Sequence, residues 1–264
     1  MPLLKPAPHH SASVSQSVSP APGNAPPNPG GGPRRAWAVA AAILRALLLQ
    51  LAAFGFVLGA LALARRLPSP PPGLLPFADL TGAERTALAL TVLPPATLAL
   101  LVLAAARFSP GRIGFARPAL PRRAVLLLIL WPPLQVAWTA GLLLLSGAVP
   151  VRAWRLSPFL TGEVFLAWTL WLVMLAPLAE EMLFRGDLFS RLRALLPPAA
   201  TVAVSALVFG LCHAERGLLQ PVSVLPLGVA LGAMRLWTGS LWPCIALHAL
   251  SNGAVVLARV WSTG

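Results

Sequence analysis

Seven apolar runs, each near the length that crosses a lipid bilayer, constrain this 264-residue chain more than any other feature. A bilayer core of ~30 Å takes about 20 residues of helix. The runs cover approximately residues 38–64, 86–106, 124–147, 164–183, 198–213, 221–237 and 240–260. Hydrophobic residues make up 57% of the chain and charged residues only 10%, and the mean hydropathy is +0.78. A soluble fold of this size must leave much of its area in water and cannot hide so much apolar surface. An ordinary cytosolic enzyme is therefore excluded. The expected fold class is all-α, a polytopic transmembrane helix bundle of about seven spans.

Three regions follow. Residues 1–33 hold nine prolines among Ser, Ala, Gly and Asn, and read as a disordered tail. The first apolar run begins only after Arg34-Arg35 and ends without a small-residue cleavage site, so the start is not a signal peptide. Residues 34–158 carry the amino-terminal transmembrane helices, and 159–264 form a second part in which the chemistry gathers. Pro94-Pro95 and Pro132-Pro133 fall inside spans and should kink them. The fourth run need not stop at 183. The segment 184–196 keeps Leu and Phe at helical spacing with Arg on the other side, and Pro197-Pro198 ends it.

The net charge of +13 does not indicate nucleic-acid binding. One Lys and 19 Arg lie mostly between apolar runs, where they hold loops on one side and meet anionic lipid. With seven spans, one side holds eleven Arg and the other seven. The richer side contains Arg34, Arg35 and the loop 107–123, so the amino terminus is expected in the cytoplasm. The expected location is a bacterial inner membrane. Cys212 and Cys244 lie in apolar stretches without a CxxC pair, and read as buried free thiols.

Ionisable groups inside spans cost at least ~2.5–3.5 kcal/mol each, and so mark candidate sites. Three short clusters hold most of them. In the first, Glu180 and Glu181 point about 100° apart, and Glu181 reaches Arg185 at i, i+4 in the favoured order for an ion pair. The second is Phe209-Gly210-Leu211-Cys212-His213, closing the fifth run. In the third, His248 and Asn252 share one face of the last span. Each cluster alone has an ordinary structural reading, as a helix leaving the membrane, an interfacial His, or polar glue between helices. Together they form a hydrolytic inventory. A carboxylate beside an imidazole can deprotonate water, and an imidazole with an amide can stabilise an oxyanion. Neither GxSxG nor HExxH occurs.

The patterns Glu180-Glu181-x-x-x-Arg185, Phe209-x-x-x-His213 and His248-x-x-x-Asn252 resemble, in order and spacing, the three motifs of the CAAX-processing and bacteriocin-processing family of intramembrane proteases, also called the Abi or CAAX-protease self-immunity family. Arg185-Gly186, Gly228-Val-Ala-Leu-Gly232 and Thr238-Gly239-Ser240-Leu241-Trp242 resemble the flanks of those motifs. The likeness covers roughly residues 164–258 and does not extend to the first three spans. Met234-Arg235 departs from the family, which often has an aromatic residue there, and is expected to touch only packing or lipid.

The resemblance implies an intramembrane endopeptidase acting on a membrane-associated peptide or protein tail, with 159–264 as its protease core. It implies that Glu180 is the general base, helped by His213, that His248 and Asn252 form the oxyanion hole, and that Glu181 and Arg185 pair in support. Glu163 and Arg45 are left as interface residues. Glu180, His213 and His248 would have to meet at one depth, which favours a fourth helix running to about 195. The alternative is a non-proteolytic membrane protein, such as an immunity factor, chaperone or transporter, that keeps the fold. No internal repeat of the transporter kind is visible. Glu180, His213 and His248 could in principle bind zinc. No two of them share i, i+4 spacing, however, and the i, i+4 partner of His248 is Asn252, so a metal-free site is expected. The partners expected are the lipid bilayer and the peptide substrate, with oligomeric state open.

Overall fold

The computed structural model describes residues 32–64, 66, 82–107, 110–147, 169–214 and 217–263. Most of the amino-terminal tail, Glu163, and the junction between the two transmembrane parts lie outside the described residues. The described residues contain helices and no strand. In chain order they are α1 (Gly32–Ala64), α2 (Gly82–Ala105), the single turn α3 (Pro110–Ile113), α4 (Arg122–Leu145), α5, α6 (Pro198–Leu211), α7 (Leu219–Thr238) and α8 (Trp242–Thr263). Helix α5 is continuous over Trp171–Leu175, Ala176–Glu181, Met182–Leu188 and Phe189–Arg193.

The protein is an integral membrane protein. Helices α1, α4 and α7 are each long and apolar enough to cross a bilayer. Dozens of large apolar side chains face outward, Leu130, Trp138 and Leu257 among them, where lipid takes the place of water. Among the described residues, each of the seven apolar runs overlaps one helix, in order α1, α2, α4, α5, α6, α7 and α8.

Two helical parts meet at α5. Helices α1 and α2 pack on each other and on α5, and α4 packs on α7 and α8. The closest pairing is α6 with α7. A Cβ on Gly228 would stand 3.1 Å from Ala206 Cα, and one on Gly232 would stand 3.0 Å from Val202. Small residues four apart on α7 thus bring two backbones together, the usual route to tight helix contact where lipid supplies no hydrophobic drive.

Helix α5 continues past residue 183, and this sets the depth of the site. Two of its stretches are π-helical, where Ala176 N–H bonds Trp171 O and Phe189 N–H bonds Phe184 O. Glu180 lies 13 residues before Arg193, or ~20 Å of helix. Helix α6 then returns for 14 residues, ~21 Å, and stops inside a core of ~30 Å. His213 therefore comes back to the level of Glu180.

Prolines and π turns free backbone carbonyls, and polar side chains take them up. Pro226 removes the N–H that would bond Val222 O, and Trp138 Nε1 donates to that oxygen at 3.3 Å. With Ala176 N–H committed to Trp171 O, the next donor for Leu172 O would be Pro177, which has none. Asn252 Nδ2 donates to Leu172 O at 3.0 Å instead.

Between α7 and α8, Gly239 adopts φ +65°, a left-handed cap that a side chain would strain. The turn is tied to the extended segment after α3. Leu241 N–H bonds Gly114 O at 3.0 Å, Ala119 N–H bonds Thr238 O at 3.1 Å, and Ser240 Oγ donates to Ala116 O at 2.6 Å.

Candidate active site

Three helices deliver three side chains to one point. Glu180 comes from the middle of α5, His213 from just beyond α6, and His248 from two turns into α8. Glu180 Oε2 lies 3.7 Å from His213 Nε2 and 3.9 Å from His248 Nε2. That oxygen is buried and has no hydrogen-bond partner among the described residues.

Each imidazole is oriented from behind. His213 Nδ1 lies 2.8 Å from Phe209 O, one turn back on its own chain. A carbonyl only accepts, so Nδ1 carries a proton, and Nε2 is the nitrogen turned toward Glu180. His248 Nδ1 lies 2.9 Å from Glu181 Oε1. Its proton is likewise on Nδ1, and Nε2 again faces Glu180. The Phe209 ring packs against both, at 4.6 Å from the His213 ring and 5.7 Å from the His248 ring.

Beneath them lies a buried charged layer. Arg185 and Glu181 are fully buried, and Arg185 Nη1 donates to Glu181 Oε1 at 3.1 Å. Arg185 Nη2 donates to Gly228 O at 3.0 Å, and its guanidinium lies 4.4 Å from the centre of the Phe209 ring. One Glu181 oxygen thus accepts from both Arg185 and His248. The adjacent carboxylates face different surroundings, as their 100° separation requires. Glu181 is locked in the layer below, and Glu180 faces the cavity.

That cavity has a volume of about 440 Å³. Glu180, His213, His248 and Asn252 all line it. The residues singled out in the sequence therefore divide in two. Five of them, Glu180, Glu181, Arg185, His213 and His248, form a connected cluster. Asn252 faces the same cavity but gives one amide hydrogen to Leu172 O, which leaves it one more to donate.

Two sequence expectations need correction. Arg235 does more than touch packing or lipid: its Nε donates to Arg185 O at 3.1 Å, and Gly114 leaves the room its guanidinium occupies. The π turn in α5 frees that carbonyl. Arg45, left as an interface residue in the sequence, is an ion-pair partner. It meets Asp187 at 3.0 Å and ties α1 to α5, while Arg191 meets the same carboxylate at 3.1 Å. Asp187 was not singled out in the sequence, although Asp187 and Arg191 have the i, i+4 spacing that could have drawn notice.

Among the described residues, no group of three His, Cys, Asp or Glu side chains is arranged to hold a metal ion. The donor types would suit zinc, and with each Nδ1 engaged behind its ring, both Nε2 atoms face forward as ligand atoms would. The spacing fits less well. Ligands ~2.0–2.2 Å from a tetrahedral zinc stand ~3.4 Å apart, against 3.7 and 3.9 Å here.

No curated protein and no solved structure matches the chain. A family match falls on the helices that build this cluster: residues 162–254 match the model of the type II CAAX prenyl endopeptidase Rce1-like family, so α5 to α8 are similar to the CAAX-processing and bacteriocin-processing family of intramembrane proteases.

Proposed function

We propose that the protein is an intramembrane endopeptidase that hydrolyses a peptide bond in a membrane-associated peptide or protein tail, through water activated by Glu180 and His213. The observation that carries this reading is the approach of a buried, unpartnered carboxylate oxygen to the Nε2 of an imidazole at 3.7 Å. A water at an ordinary bond length of ~2.8 Å can reach both acceptors at once. Glu180 takes one proton as the oxygen attacks the carbonyl carbon, and His213 holds the other. The proton on Glu180 then passes to the leaving amine as the C–N bond breaks.

His248 and Asn252 stabilise the oxyanion in this reading. Asn252 has its remaining amide hydrogen for this. His248 donates an Nδ1–H hydrogen bond to Glu181 and, as an imidazolium that takes its second proton from solvent before the attack and keeps it through the cycle, donates Nε2–H to the oxyanion. Glu181 is then a positioning residue as well as the partner of Arg185.

The proposed mechanism is metal-free. Its test is purified protein, stripped with a strong chelator and assayed on a farnesylated peptide ending in a CAAX sequence. Cleavage should persist at its untreated rate. Activity that vanishes and returns with zinc, with one zinc found per chain, would replace the mechanism with a metalloprotease one. No cleavage of any prenylated or plain tail would remove the endopeptidase reading.

We place the protein in a bacterial inner membrane with its amino terminus and the loop 107–123 in the cytoplasm, because the Arg count favours that side. Single cysteines in both segments, on a background without Cys212 and Cys244, should resist an impermeant thiol reagent in intact cells and label after lysis. Ready labelling of the loop in intact cells would reverse the orientation.

A further inference from the structure

The cavity extends beyond the Glu180 cluster, and its far walls carry two amides inside otherwise apolar helices. Gln135 on α4 and Gln50 on α1 both line it. Gln135 is 4% exposed, with Nε2 donating to Ser223 O at 3.1 Å and to Thr139 Oγ1 at 3.2 Å. Because a carbonyl only accepts, Ser223 O fixes which way the amide points. Oε1 is then the atom left over, buried and without a partner among the described residues. Gln50 Oε1 is also buried and unpartnered.

Two orphaned acceptors in one cavity are costly. A buried acceptor without a donor loses about 1–3 kcal/mol. The Gln135 amide nitrogen ties α4 to Ser223 on α7, but that tie makes no use of its oxygen, and the Gln50 oxygen likewise has no partner among the described residues. A peptide bound for cleavage has the opposite shortage. Its scissile bond must be exposed to attack, so the chain around it gives up helical hydrogen bonds and brings free N–H groups into a space with little water. Both side chains stand in the wall of the cavity, and their oxygens lack the kind of donor such a segment brings.

We propose that Gln135 and Gln50 are substrate-positioning residues whose side-chain oxygens accept backbone N–H groups of the unwound peptide beside the scissile bond. The proposal rests on the endopeptidase reading and assigns a recognition mode to it: the chain is held by its backbone at these points, so neighbouring side chains are tolerated broadly. The two amides stand on the two helical parts that meet at α5, so a bound segment bridges them.

The experiment uses the full-length protein in detergent and a fluorescent farnesylated CAAX peptide. Backbone nitrogens of the peptide are methylated one at a time, which removes one N–H and leaves the side chains unchanged. Binding and cleavage are measured on the same set with wild type, Gln135→Leu and Gln50→Leu, each shown to be folded by its elution profile and melting temperature. Methylation at one or two positions should weaken wild-type binding about 3–10-fold, the range of one net hydrogen bond. The penalty at a given position should disappear in the matching Gln variant, and that variant should raise KM with kcat nearly unchanged. Equal penalties in wild type and both variants, no penalty at any position, or no binding of the peptide would overturn the proposal. Coupled binding without cleavage keeps the docking pair and removes the endopeptidase reading. Cleavage without coupling does the reverse.

Discussion

Glu180→Gln should abolish cleavage while leaving the protein in the membrane at its normal folded yield. The amide keeps the shape of the carboxylate and cannot take a proton from water. General base catalysis contributes about 10²–10⁴ in rate, so kcat should fall by at least ~10². Folding should not suffer, because Glu180 Oε2 has no hydrogen bond to lose and its nearest ring nitrogens stand at 3.7 and 3.9 Å. The fall should be read as initial rate on the farnesylated peptide, beside size-exclusion elution and melting temperature. Cleavage at the wild-type rate would end the assignment of Glu180 as base. Equal loss of rate and folded yield would reduce it to a structural residue.

The largest effect on stability should come one residue later. Arg185→Met leaves the Glu181 carboxylate fully buried with His248 as its remaining partner, and Glu181→Gln leaves the Arg185 cation buried without its counter-charge. Breaking one side of a buried pair costs about 3–5 kcal/mol. Both single variants should show sharply lower folded yield and melting temperature. The double variant Glu181→Leu, Arg185→Met removes both charges and should recover much of that stability, since well-packed apolar replacements of buried pairs are often neutral. It should not recover cleavage, because His248 Nδ1 would have no acceptor to orient it. Recovery of both would show that Glu181 does nothing for His248. The pair of half-exposed Arg191 with Asp187 is the control, because Arg45 still meets the same carboxylate when Arg191 is removed. Arg191→Ala should move stability by no more than ~1 kcal/mol, since the removed cation is the exposed partner and the carboxylate keeps a second one.

The helices and the chemical groups were legible in the sequence, because both rest on local chemistry. A run of ~20 apolar residues must form a helix in lipid, where each backbone N–H and C=O needs a partner within its own segment. Carboxylates and imidazoles in such runs stand out because burial there is expensive. The i, i+4 spacing of Glu181 and Arg185 gave their ion pair directly.

What the sequence did not reveal depends on partners far along the chain. Glu181 accepts from His248, 67 residues away, and Arg235 caps a carbonyl of Arg185, 50 residues away. The role of Asn252 at Leu172 O follows from a π turn next to Pro177, which no periodicity announces. Gln50 and Gln135 are uncharged and looked unremarkable within their spans. Only the folded bundle puts both on one cavity and leaves their oxygens without donors. The sequence by itself determined which segments enter the membrane and which groups could do chemistry there, because solvation in lipid acts residue by residue. The tertiary structure decided which carboxylate faces the cavity, which nitrogen each imidazole offers and which acceptors stay open, because those depend on where helix ends, proline gaps and glycine contacts bring separate segments together.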